Sequence, residues 1–131
     1  KFTESYWQKL MDEGNINPID PKDLPRDTYN TVMARYQVGN KITVCGTVVS
    51  TKFSEKSGAT FINLDRKFPN QIFTINIWKD DRKNFSYLPE VLLNNQSVCV
   101  TGKISLYQDV PAMSVTSEES VEIIDLQLDD D

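Results

Sequence analysis

Thr60-Phe61-Ile62-Asn63-Leu64-Asp65, then Arg66-Lys67-Phe68-Pro69-Asn70, then Gln71-Ile72-Phe73-Thr74-Ile75-Asn76-Ile77-Trp78 is the stretch whose reading decides the fold. On either side of a turn signalled by Pro69-Asn70, apolar side chains recur at every second residue. Thr60, Ile62 and Leu64 alternate with Phe61, Asn63 and Asp65, and Phe73, Ile75 and Ile77 alternate with Ile72, Thr74, Asn76 and Trp78. A period of two sends successive side chains to opposite faces of a strand, so the stretch is predicted to be two strands with an apolar inner face. Upstream, Ile42, Val44, Gly46 and Val48 alternate with Thr43, Cys45, Thr47 and Val49, which predicts a preceding strand closed by the polar turn Ser54 to Gly58.

Downstream, Asp80 to Asn95 loses the alternation. Phe85, Leu88, Val91 and Leu92 predict a short helix with Pro89 in its first turn. Ser97 to Ile104 reads as a fourth strand, and Ala112 to Thr116 with Val121 to Ile124 as a fifth, interrupted one. Three strands, one helix and two more strands predict a mainly β fold, a five-stranded OB-fold barrel with a short helix between strands 3 and 4. Gly46 and Gly102 fit the tight bends of a small closed barrel. An N-terminal helical extension precedes it. Phe2, Tyr6 and Leu10, widened by Trp7 and Met11, form a helical stripe capped at Thr3-Glu4 and stopped by Gly14-Asn15. After a connection punctuated by Pro18, Pro21 and Pro25, Tyr29 to Tyr36 predicts a second helix capped by Asp27 or Thr28, burying Tyr29, Val32, Met33 and Tyr36. The predicted division is 1–37 for the extension, 38–125 for the OB-fold domain and 126–131 for an acidic, solvated tail.

Gly46-Thr47-Val48-Val49, Thr60 to Asp65, Phe68-Pro69-Asn70-Gln71 with Phe73-Thr74, Val100-Thr101-Gly102-Lys103-Ile104, Tyr107 and Pro111 together resemble a bacterial family of OB-fold nucleic-acid-binding domains, over roughly Val38 to Ile124. Members of that family stand beside nucleases or alone, and include predicted lipoproteins and exported proteins. The resemblance implies single-stranded DNA or RNA as partner by fold analogy and leaves room for a lipid anchor upstream; its exported members, with the start at Lys1 and a Cys45–Cys99 bridge if formed, point to a bacterial periplasmic or cell-surface location, and no cofactor is assigned. Two departures stand out: Asp109 occupies a loop position that is often Gly, and the forty-residue extension is not part of the family core.

Composition narrows the chemistry. At 131 residues, 39% hydrophobic and 25% charged, the chain has the size and balance of one folded domain. Histidine is absent, which removes the commonest general base and the Ser/His and Cys/His nucleophile pairs. No apolar run approaches the roughly 20 residues needed to cross a bilayer. The first residue is Lys1, compatible with a removed leader, a trimmed chain or an upstream domain. A net charge of −5 argues against a polyanionic partner until it is resolved along the chain: 41–85 carries 8 basic and 4 acidic residues, and 105–131 carries no basic residue and 8 acidic ones.

The predicted binding surface lies in the basic stretch. If Ile62, Leu64, Phe73, Ile75 and Ile77 point inward, the pleat turns Phe61, Asn63, Thr74, Asn76 and Trp78 outward. Phe61 and Trp78 could then stack bases, with Tyr107 flanking them. Asn63 and Asn76 could read base edges, and Lys52, Lys56, Arg66, Lys67, Lys79, Arg82 and Lys83 could meet phosphates. The plainer reading is that the extension covers Phe61 and Trp78, the lysines are ordinary surface, and Asn63 with the Phe68–Gln71 turn fixes the strand connection. Two other functions compete: an exported OB-fold protein binding an oligosaccharide or a protein, and a nuclease holding a metal ion on Asp65, Asp80, Asp81 and Asp109. No catalytic residue and no metal site is assigned. Cys45 and Cys99 are either separate packed thiols or one bridge. They fall opposite the inward residues of strands one and four, which neighbour each other in this topology, so they are predicted within bridging distance. A bridge would imply an oxidising compartment.

Overall fold

The computed structural model describes residues 18–125 together with Ser5, Gln8, Lys9, Asp12, Glu13 and Ile16. The predicted stripe of Phe2, Tyr6, Trp7, Leu10 and Met11, its cap and its stop, and the acidic tail 126–131, lie outside the described residues. Among the described residues seven strands follow one another: β1 Tyr29–Asn30, β2 Lys41–Phe53, β3 Thr60–Leu64, β4 Thr74–Ile77, β5 Ser97–Tyr107, β6 Val110–Ser114 and β7 Val121–Ile123. Strands β2, β3, β4, β6 and β5 pair in that order, and β2 also pairs with β5, so the five close into an OB-fold barrel. The β4–β6 pair is parallel; the other four junctions are antiparallel.

One strand serves two sheets. Lys41 to Thr47 of β2 pairs with β5, whereas Val48 to Phe53 pairs with β3. The handover falls at a bulge: Val48 lies opposite Leu64, but Ser50 lies opposite Asn63, leaving Val49 as the extra residue. A bulge bends its strand and reverses the inside–outside alternation beyond it. Ser50 and Lys52 thereby join the outer face, Lys52 directly across from Phe61, while Thr51 and Phe53 take the opposite side.

Inside, Val44, Val48, Ile62, Leu64, Phe73, Ile75, Ile77, Val98, Val100, Ile104 and Met113 form the core, as the alternation predicts. Gly102 is required for packing rather than for a bend, since a Cβ there would stand 2.8 Å from Met113 Cγ. The segment between β4 and β5 holds a 3-10 turn, Lys79–Asn84, and one α-helical turn, Pro89–Leu92, opened by Pro89. Its buried apolar residues are Phe85 and Leu93; Leu88, Val91 and Leu92 are exposed, contrary to the face predicted for them. A helix of one turn is too short for the 3.6-residue period to define a face.

The second predicted helix is corrected. Tyr29–Asn30 is a strand lying parallel to β2, and only Met33–Tyr36 is helical, as a 3-10 turn. Asn30 explains the change: its Nδ2 donates to Ile19 O and its Oδ1 accepts from Met33 N, so the side chain braces two backbone segments where the helix would have begun. Tyr36, predicted buried, is exposed. Ser5, Gln8, Lys9 and Asp12 are helical.

Cys45 and Cys99 are directly paired residues of β2 and β5, with Cα atoms 4.1 Å apart, and they form a disulfide. Both sulfurs lie outside the barrel, where Ile19, Leu24 and Ile124 pack over them. Asp65, at the end of β3, ties the extension down from another side. Thr31 Oγ1 donates to its Oδ2 at 2.5 Å and Thr47 N to its Oδ1 at 3.0 Å. Gly46 leaves room for this carboxylate, since a Cβ at residue 46 would sit 3.1 Å from Asp65 Oδ2. Burial pushes the Asp65 carboxyl up to about 6 against the pull of those two hydrogen bonds.

Candidate nucleic-acid interface

Three rings meet on the outer face of β3 and β4. Phe61 and Trp78 contact edge to face with centroids 6.2 Å apart, and Tyr107, at the end of β5, lies 6.1 Å from each. These separations are within the range of favourable aromatic pairs. The register explains the convergence: Phe61 pairs with Asn76, Asn76 pairs across β4–β6 with Ser114, and Trp78 follows two residues on. Trp78 Nε1 donates to Ser114 Oγ at 2.9 Å, which orients the indole. Trp78 is 39% and Tyr107 37% exposed, so the cluster presents part of its surface to solvent.

Beside the rings runs a groove of about 420 Å³. Phe61, Phe68 and Tyr107 wall it, Asn63 and Thr74 lie along its base, and Lys52, Gln71 and Gln108 contribute polar groups. No described residue before Ser50 lines it. The described part of the extension packs instead through Ile19 and Leu24 on the disulfide and through Thr31 on Asp65. Tyr107 and Gln108 reach the groove because β5 runs three residues beyond its predicted end and turns into β6 through Gln108-Asp109, both at positive φ (53° and 67°). A two-residue hairpin of this hand is where Gly or Asn is favoured; Asp109 accepts the left-handed conformation in place of Gly.

Not every predicted site residue faces a ligand. Asn63 is 3% exposed and its amide is spent: Nδ2 donates to Ser50 Oγ at 3.0 Å and Oδ1 accepts from Thr74 Oγ1 at 2.9 Å. Asn76 is 2% exposed. Neither offers an open edge to a base, so that predicted role is withdrawn; outward on a pleat is not the same as exposed when neighbouring side chains close over it. Arg82 is likewise committed. Its guanidinium pairs with Glu90 Oε1 at 2.9 Å, donates to Thr60 Oγ1 and lies over the Phe53 ring. Although burial pushes the Glu90 carboxyl up, the Arg82 hydrogen bonds and charge hold it below its ordinary value.

The remaining cations spread along the chain. Lys52 stands in the groove with Nζ 6.0 Å from the Phe68 ring centre, and Lys67 is exposed on the bend that carries Phe68. Arg66 on the same bend is half-buried, with its Nη1 facing no acceptor among the described residues. Lys56 is exposed in the β2–β3 turn, and Lys79 and Lys83 are exposed after β4. The acidic candidates do not assemble: Asp65 is turned onto Thr31 and Thr47, Asp80 and Asp81 open a 3-10 turn, and Asp109 sits in the β5–β6 hairpin. Among the described residues no three His, Cys, Asp or Glu side chains gather as metal ligands.

Sequence reasoning missed Ser50, Thr51, Phe68, Gln71 and Gln108 as groove residues. Phe68 and Gln71 belong to the turn whose plainer sequence reading is a strand connection. Ser50 reaches the site through the bulge, for which the alternation gives no signal.

The barrel is that of the OB-fold class. No protein-family model matches the chain, and no curated protein matches it in sequence. Among solved structures it is similar to the OBody AM1L10 bound to hen egg-white lysozyme, at 11% identity and a TM-score of 0.50, covering 77% of this chain and 96% of that one. It is also similar to a putative aspartyl-tRNA synthetase from Leishmania major Friedlin, at 9% identity and a TM-score of 0.49, covering 96% of this chain and 27% of that one. An asparaginyl-tRNA synthetase from Pyrococcus horikoshii matches at 15% identity and a TM-score of 0.46, covering 70% of this chain and 21% of that one. The chain thus spans roughly a quarter of either synthetase chain or less.

Proposed function

We propose that this protein is a non-catalytic OB-fold module that binds single-stranded DNA or RNA on the outer face of β3 and β4. The observation that carries the reading is the solvent-facing cluster of Phe61, Trp78 and Tyr107 beside a groove with Lys52 at its edge. Unpaired bases stack on such rings whatever their identity, and lysines meet the phosphates between them. Lys67, Lys56, Lys79 and Lys83 would extend the phosphate contacts beyond the groove. The Cys45–Cys99 bridge suits an oxidising compartment, and a bacterial periplasmic or cell-surface location belongs to the same proposal, as does the family resemblance of strands two and three.

The test is anisotropy titration of a fluorescently labelled oligonucleotide against the wild type, Trp78→Ala and Lys52→Ala at two salt concentrations. Loss of one stacking ring costs about 1–3 kcal/mol, so Trp78→Ala should weaken binding by about tenfold, with the salt dependence retained. Lys52→Ala should flatten the salt dependence, by about 0.7 in the log–log slope for one phosphate on a single strand. Unchanged affinity in Trp78→Ala would remove the platform. A second reading, an oligosaccharide ligand, is favoured by one feature: among the described residues Lys52 is the single charged side chain lining the groove. Binding of a neutral glycan that ignores salt would support it instead.

A further inference from the structure

Most polar groups lining the groove are already paired. The Asn63 amide is closed by Ser50 and Thr74, and Thr51 Oγ1 donates to Glu90 O. Among the buried polar atoms of the lining, Gln71 Oε1 is the exception. No described protein group donates to it. A buried amide oxygen without a donor is destabilising, so its position in a binding groove needs a reason. Around it stand Phe61, Phe68 and Tyr107, with Lys52 over Phe68. Flat apolar walls, one buried amide oxygen without a donor and one cation at the edge together match a planar heterocycle with N–H groups on its rim and an anionic linker outside. A nucleobase with its phosphate has that chemistry.

Building on the nucleic-acid reading, we infer that the groove takes one unstacked base and that Gln71 reads its edge, making Gln71 the residue that confers base preference on an otherwise sequence-tolerant platform. An amide side chain offers an acceptor and a donor side by side, the pairing that glutamine makes with adenine N6 and N7. Adenine is the preference put to the test. The three-ring cluster would supply affinity common to all bases, and Gln71 the difference among them. This division separates two kinds of contact on one face: rings that do not discriminate and an amide that does.

The experiment compares labelled dA, dC and dT homopolymers of equal length against the wild type, Gln71→Met and Phe68→Ala, at two salt concentrations. Met keeps the length and removes the hydrogen bonds. The wild type should favour dA by about tenfold, the scale of a bidentate amide–base contact. Gln71→Met should reduce that spread to about twofold or less, while keeping the salt slope and the dT affinity. Phe68→Ala should weaken all three homopolymers and narrow the spread, because the base loses a wall. Equal affinities in the wild type, or a dA preference that survives Gln71→Met, would overturn the role of Gln71 and leave the stacking face intact. No homopolymer binding at all would overturn the nucleic-acid reading itself.

Discussion

The two sides of this barrel are built on the same alternation and treat their outward side chains in opposite ways. On β2 and β5 the outward cysteines are joined and then sealed under Ile19, Leu24 and Ile124, leaving Cys45 fully buried and Cys99 nearly so. On β3 and β4 the outward layer contains three partly exposed rings and a groove, with no described extension residue in its lining. Burying an apolar side chain is worth about 1.5–3 kcal/mol, so the sealed side has the stabilisation that the open side lacks. The contrast teaches where stability and binding are separated: one side is closed by the chain itself, and the other retains apolar area for another molecule.

The comparison can be broken most forcefully at the bridge. The cystine closes a loop of 54 residues, for which chain entropy gives about 4 kcal/mol. Cys45→Ala with Cys99→Ala should lower the unfolding free energy by about 2–4 kcal/mol in urea titration, while oligonucleotide affinity below the transition stays within twofold. A parallel loss of binding in folded protein would show that the two sides are not separate.

A smaller effect is expected at Asp65. Its native carboxyl is raised from 3.8 to about 6, so between those values the folded state binds more protons than the unfolded chain. The native proton therefore contributes stability that is fully present below about pH 4 and lost as pH rises through about 6, amounting to about 3 kcal/mol. Asp65→Asn removes the ionisable group and keeps a side chain that tolerates the positive φ of 67°. The variant should be more stable than the wild type at pH 8 by about 1–3 kcal/mol, with the difference shrinking towards pH 4. A pH-independent difference would show that desolvation of Asp65 is not the cause.

Thr31→Val probes the same junction from the extension. It deletes the hydrogen bond that lowers the Asp65 carboxyl, and should cost about 1–2 kcal/mol at pH 8. The pH at which wild-type-like stability is lost should move upward, because less now opposes the effect of burial. The smallest effect belongs to the open side. Ser114→Ala removes the acceptor of the Trp78 indole and should cost no more than about 1 kcal/mol of stability. Affinity for oligonucleotide should fall two- to threefold through a less fixed ring, and Trp78 emission should shift.

Much of the fold is legible in the residues themselves. The inward set Val44, Val48, Ile62, Leu64, Phe73, Ile75 and Ile77 follows from a period of two, and the shared outer face of Cys45 and Cys99 from their parity against that set with the barrel topology, while the bridge itself is decided only by the structure. Local patterns encode these features because burial of one face is decided strand by strand. Elements without a strong period are less legible: Tyr29–Asn30 is a strand through the Asn30 bridges, and Phe85 and Leu93 fill the core where the pattern points to Leu88, Val91 and Leu92.

What the sequence by itself determined is the barrel, its apolar lining and the outward direction of Phe61 and Trp78, since each depends on alternation within a single strand. Only the tertiary structure decided which outward residues stay accessible. Asn63 and Asn76 face outward and are nevertheless buried, and Arg82 is drawn away by Glu90. Ser50 and Lys52 enter the outer face because Val49 is bulged, and the Phe68 turn folds back onto β2, with Phe68 N donating to Ser50 Oγ at 3.2 Å. These outcomes depend on contacts between residues far apart in the chain, and a one-residue change of register is invisible until both strands are in place.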